Sequence, residues 1–428
     1  MMGAYRRALE IPGAWQFSST GLVARLPIAM VGLGILLLVK GETGSFAFAG
    51  LLSASFQLPA AFGAILTSRW IDRVGQARLL PWLAGGNALL LIAFVVTVQA
   101  GLPLPVQALV VAAAGACQPA IGSMVRARWA HAASDGSRRQ SAFALESVID
   151  ELVFTVGPAL TTFLAVKWAL PAPIILGAAI GLIGGVTLAA QRSTQPPRAA
   201  QRPPEVQTSG RGALFQPGVA LVVVVAIGIG AVFGAYEVSV VAFSDQRDAP
   251  GVSGLILSLW ALGSMVGGLW FGARSWSIPL GRQMVVLPAI VVVALIPPLI
   301  APSLPFLAVV TAIGGASVAP MLIAAFSITE RLVPSAQLTE GLTWTNSGLA
   351  TGFALGTATA GIVVQSYGTT AGFAVATCGG LLATLIGAVA QPTFARHVRP
   401  IDVMRLAAPW NDDPLPGPHP GGVIDDAP

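Results

Sequence analysis

Residues 192–212, RSTQPPRAAQRPPEVQTSGRG, divide this chain of 428 residues into two apolar halves. A stretch so rich in proline, arginine and glutamine cannot bury a core, and is expected to run as a flexible or polyproline-type linker. On either side of it the chain is a succession of long apolar runs broken by charge, proline or glycine.

Six such runs precede the linker, at 15–39, 46–67, 79–100, 106–125, 143–166 and 172–190. Six follow it, at 218–243, 252–271, 284–300, 304–326, 338–364 and 371–390. A hydrocarbon core of about 30 Å needs about 20 apolar residues per helix, so a chain of this length holds about a dozen crossings. With 55% hydrophobic and 10% charged residues and a mean hydropathy of +0.78, it has too few charges for a water-soluble surface, which carries about 25%. The expected fold is an all-α membrane protein of twelve transmembrane helices in two six-helix halves. The units are a first bundle (1–190), a linker (191–216), a second bundle (217–391) and a polar, proline-rich tail (392–428) expected to be disordered. The residues before the first run end in no small-residue cleavage site, so that run is expected to be a retained span.

Lysine and arginine are distributed unequally. Lys40, Lys167 and Arg247 fall on one side of the layout and Arg25 inside span one, while the rest of the 23 fall on the side of the linker and both termini. The positive-inside rule makes that side cytoplasmic and the protein a multi-pass component of a cell's inner or plasma membrane. The net charge of +5 sits in short runs at membrane boundaries, so no nucleic-acid partner is expected. Cys117 and Cys378 lie inside apolar segments, where a thiol behaves as a small hydrophobe. His131, His397 and His419 lie in loops or tail, and no nucleophile–base pair or metal cluster is evident. No enzyme activity, metal or cofactor is therefore expected, and the chain is expected to act as a monomer.

An internal repeat is visible. Ala113, Ala114, Gly115 and Ala116 precede Pro119 in span four, and Gly314, Gly315, Ala316 and Ser317 precede Pro320 in span ten. Small residues let helices approach closely, and a mid-span proline frees backbone groups tolerated only against protein or a cavity. Equivalent interruptions in two halves point to a central site, or merely to kinked, closely packed helices.

Between spans two and three the chain reads Ser68-Arg69-Trp70-Ile71-Asp72-Arg73-Val74-Gly75-Gln76-Ala77-Arg78-Leu79-Leu80. This resembles the loop signature of the major facilitator superfamily, G-x-L-x-D-R-x-G-R-[RK]-x-x-L. Asp72, Arg73, Gly75 and Leu80 match, whereas Ser68, Trp70, Gln76 and Ala77 depart from the pattern. The second-half loop keeps Gly272, Arg274, Gly281 and Arg282 without an aspartate. The resemblance implies two six-helix halves that carry a small molecule across the bilayer. It also implies a cytoplasmic gating motif in which Asp72 and Arg73 hold helix ends together, with Arg126, Arg128 and Glu146 as available partners.

Span five carries three carboxylates, Glu146, Asp150 and Glu151, in an otherwise apolar run. Carboxylates within the bilayer are costly and by default suggest function. Asp150 and Glu151 fall roughly 10–13 Å inside the cytoplasmic end, while Glu146 is expected within a turn of the interface and in reach of water. Glu146 and Asp150 are i and i+4 on one face, so ionising one disfavours ionising the other, and such a pair can hold a proton. Arg25 is the natural counter-charge for Asp150 or Glu151 if spans one and five touch, with a purely structural ion pair as the alternative. Gly157-Pro158 is similar to a fragment of the superfamily's antiporter motif, with Val153, Thr161 and Thr162 at its other glycine positions. Gln57, Gln118, Pro119, Tyr236, Glu237, Pro320, Trp344 and Asn346 are candidates to line a mixed polar and aromatic substrate cavity.

The functional expectation is a secondary active transporter of the major facilitator type that works by alternating access. Its partners are a small-molecule substrate, protons and the lipid bilayer, in proton-coupled efflux of an amphipathic molecule. Proton-coupled uptake of a sugar or other metabolite is the alternative, and a non-transporting membrane sensor or scaffold is the alternative of another class.

Overall fold

A computed structural model describes residues 9–133, 136–197, 212–274, 276–334 and 337–397. Twelve helices in it are long and apolar enough to cross a membrane, one for each expected run. Spans one to three are Ala14–Thr43, Phe46–Val74 and Gln76–Gln99. Span four is broken into Leu104–Ala116 and Ile121–Ala132, and spans five and six are Gly136–Lys167 and Ala172–Ala190. In the second half, span seven is Val219–Asp245, span eight Ser253–Gly272 and span nine Leu280–Ala294, followed by a short turn at Ile296–Leu299. Span ten is broken into Leu304–Gly315 and Val318–Leu332, and spans eleven and twelve are Leu338–Tyr367 and Thr369–His397.

Helical segments outrun the apolar runs wherever polar ends are packed. Span twelve passes through Pro392 to Phe394, which is buried, so the second bundle extends beyond 391. The linker's first residues are likewise docked: Arg192–Thr194 form a 3-10 turn with Thr194 buried against the first half. Residues 198–211 and the tail beyond 397 are outside the described residues, and with them the expectation of disorder there. An even number of crossings in each half leaves span one's start, the linker and span twelve's end on one side, here termed the linker end; the other is the far end.

The repeat in spans four and ten is realised as a matched pair of breaks. Gly115 lies against the Phe56 carbonyl of span two, and Gly315 lies against the Trp260 carbonyl of span eight. A Cβ at either position would overlap that carbonyl, which is why only glycine lets these backbones meet. The halves join by a second matched pair at the far end. Span two's Gly50 lies against Thr357 of span eleven, and span eight's Gly254 against Pro158 and Thr162 of span five.

Candidate functional site

Arg25, in span one, is fully enclosed and lies between two carboxylates of span five. Its Nη2 is 2.5 Å from Glu146 Oε2 and its Nη1 is 3.2 Å from Asp150 Oδ1. The i, i+4 spacing of Glu146 and Asp150 turns both toward span one, so a single guanidinium reaches both. Arg126, on the second segment of span four, reaches Asp150 from the other side at 2.6 Å. Glu146 is clamped further by Ser18 Oγ at 2.8 Å and Trp129 Nε1 at 2.7 Å, both donating to Oε1. Ser18 and Arg25 are two helical turns apart on span one, so one face of that helix supplies both donors.

The depth expectation is corrected here. Glu146, expected near water, has a side chain 0% exposed, whereas Asp150 is 32% exposed. Helix packing decides this: Phe17 and Trp129 meet edge-on at 4.7 Å and close over Glu146 at the linker end. Arg25, expected opposite Asp150 or Glu151, pairs with Asp150 and more closely with Glu146. Among the described residues no ion pair reaches Glu151. Two arginines and two carboxylates thus form a compensated cluster that ties spans one, four and five together.

Arg128 is two residues from Arg126, so it points away from span five, toward spans three and six. Its fully buried guanidinium donates to Gln76 Oε1, the carbonyls of Leu188 and Gln191, and Thr194 Oγ1, each at 2.8 Å. These acceptors are neutral, and two of them are carbonyls at the C-terminal end of span six, where a cation is favoured. Gln76 also donates to the Met124 carbonyl at 3.2 Å. Gly75 holds φ at +96° and turns span two directly into span three, a conformation suited to glycine. Arg73 is exposed, and the Asp72 side chain lies outside what the structure describes. Arg126 and Arg128, expected as partners of Asp72, are engaged as given above.

The cavity candidates are spread over several environments. Tyr236 is enclosed in the second half, against Trp260 at 4.2 Å and with its hydroxyl 2.5 Å from Thr311 Oγ1. Pro119 is buried at the break in span four, and Pro320 lines a cleft among spans eight, nine and ten. Asn346 is exposed and donates to the Leu342 carbonyl of its own helix. Gln57, Gln118, Glu237 and Trp344 are half-buried, and no hydrogen bond joins any two of these four among the described residues. Gln118 Oε1 and Glu237 Oε1 are buried with no hydrogen-bond partner among them. A carboxylate oxygen so placed in an apolar span is costly to leave without a partner.

At the far end, Lys40 Nζ of span one is 2.5 Å from Asp245 Oδ2 of span seven. The Phe46 backbone N–H donates to Gln365 Oε1 at 2.9 Å. Among the described residues, these are the polar bonds between the halves, and both lie at the far end. Sequence reasoning missed Ser18, Gln76, Trp129, Thr194, Lys40 and Asp245 as partners. Only Gln76 carried a signal, as a departure from the loop pattern; the others depend on contacts as distant as 205 residues along the chain.

The family model described as Major Facilitator Superfamily matches residues 17–297. No curated protein matches the chain in sequence. Among solved structures, the chain is similar to the nucleoside transporter NupG, with a TM-score of 0.66 at 14% identity over 90% of this chain and 99% of that one. An auto-inhibited POT family peptide transporter gives 0.66 at 14% identity over 91% and 98%. A bacterial homologue of the iron transporter ferroportin, in its inward-facing state, gives 0.62 at 15% identity over 88% and 99%. Identities this low carry the fold and nothing about cargo.

Proposed function

The chain belongs to the Major Facilitator Superfamily, and we propose that it is a secondary active transporter exporting a small amphipathic molecule in exchange for protons, with its linker end in the cytoplasm. It works by alternating access, the two halves rocking about a central path in the cell's inner or plasma membrane.

One observation carries the coupling: Asp150 is the partly exposed carboxylate of the ion-pair cluster, held by Arg25 and Arg126 at once. A proton on Asp150 removes the charge that both arginines share. Arg25 then keeps only Glu146, Arg126 is released, and the tie between spans four and five at the linker end weakens. Glu146, enclosed and held by Ser18, Trp129 and Arg25, positions the arginine throughout. In the second half, Glu237 receives a cationic group of the substrate, since its buried Oε1 has no counter-charge among the described residues. The far-end bonds between halves belong to the state open toward the linker end, in which a deprotonated Asp150 is paired as seen here.

Proteoliposomes with an imposed pH gradient test this reading. A lipophilic cation is expected to move against the proton flux. No movement of any candidate overturns the carrier reading, and movement together with protons replaces efflux by uptake.

A further inference from the structure

A cleft of about 700 Å³ lies in the second half, apart from the ion-pair cluster. Span ten forms its floor, and the end of span eight and the length of span nine form its walls. Thr311 of span ten bonds Tyr236 in the bundle interior, and Ile313, about 200° round the same helix, turns toward the perimeter, while Val310 and Gly314 lie between and also border the interior beside Tyr236. Ile313 is 71% exposed, as a lipid-facing residue is. The lining runs along span nine from Gln283 to Val293 and on to Pro297, roughly 20 Å at the helical rise. That length is comparable to one leaflet's hydrocarbon, about 15 Å.

Its chemistry suits a hydrocarbon chain. The two polar side chains in the lining satisfy themselves locally: Gln283 Nε2 donates to the Ile278 carbonyl at 2.8 Å and Ser317 Oγ to the Gly314 carbonyl at 2.7 Å. The Trp276 indole N–H likewise donates to the Phe271 carbonyl at 2.9 Å, so the lining offers a hydrophilic guest few polar groups. At the linker end the cleft is rimmed by Trp270 and Trp276, 5.3 Å apart, and tryptophans of this kind mark the headgroup level. The Arg274 guanidinium lies 4.6 Å over the Trp270 ring, and Arg282 is exposed at the same end. No aspartate or glutamate occurs from residue 251 to 329, so the segments that form this mouth contribute arginines and no carboxylate of their own.

We infer that the cleft between spans eight, nine and ten is a lipid site: it seats one acyl chain of an anionic phospholipid from the linker-side leaflet, with the headgroup on Arg274 and Arg282. The site is independent of what the transporter carries.

The full chain in phosphatidylcholine nanodiscs, doped with a trace of acyl-diazirine phosphatidylglycerol or of the matching phosphatidylcholine, supplies the test. Labelling of Val286, Ile290 and Val293 is expected to favour phosphatidylglycerol by at least about fivefold, the contribution of one arginine near the surface. Arg274→Gln with Arg282→Gln removes that preference and leaves labelling of other spans unchanged. Val286→Trp, which fills the cleft without touching the arginines, lowers labelling of Ile290 and Val293 by both lipids. Equal labelling by the two lipids, a preference that survives the double substitution, or labelling that ignores Val286→Trp each overturns the site.

Discussion

Glu146 and Asp150 meet the same arginine, yet differ in how much protein surrounds them, and this separates the expected effects of changing them. Glu146→Gln leaves the enclosed Arg25 with its closer charge partner gone, and breaking a buried pair in this way costs about 3–5 kcal/mol. The expected result is a large drop in the unfolding temperature in detergent. Asp150→Asn leaves Arg25 paired with Glu146, so the fold is kept. Proton-driven accumulation is lost, while substrate counterflow, which needs no proton, continues. Glu151→Gln, with no ion pair to lose among the described residues, leaves both activities intact. Accumulation unchanged in Asp150→Asn removes span five from the coupling mechanism.

Two kinds of helix contact rest on glycine, and they belong to different functions of the elements. Gly315 lets span ten touch span eight inside one half, and Gly254 lets span eight touch span five across the halves. Gly315→Val inserts bulk into a packed bundle and is expected to cost about 1–3 kcal/mol, read as thermal destabilisation. Gly254→Val strains only the far-end closure between halves. Its expected signature is lost transport with the unfolding temperature of each half retained. Equal thermal effects from the two substitutions contradict this division between packing and motion.

For the whole molecule, the balance between its two open states depends on bonds that exist in only one of them. Lys40 and Asp245 join spans one and seven at the far end and are part-exposed, so their strength is moderate and salt-dependent. Lys40→Asp places like charges opposite each other and shifts the population away from the form described here. Spin labels at Arg73→Cys and Glu340→Cys, on the linker ends of spans two and eleven, are expected to come closer. Adding Asp245→Lys to Lys40→Asp restores the original distance. A distance unaffected by either change shows that this pair does not set the balance.

The sequence by itself determined twelve crossings and the paired interruptions of spans four and ten. Hydrophobic length and small-residue patterns are local properties, set by the bilayer's thickness and by how closely two backbones approach. It also singled out Arg25, Glu146 and Asp150, because a charge in an apolar run stands out. Only the tertiary structure decided that Glu146 is enclosed while Asp150 is part-exposed, since burial depends on neighbours such as Trp129 and Ser18, the latter 128 residues away. It alone paired Arg128 with the end of span six and Lys40 with Asp245. Partners brought together by helix packing leave no periodic trace along the chain that either one occupies.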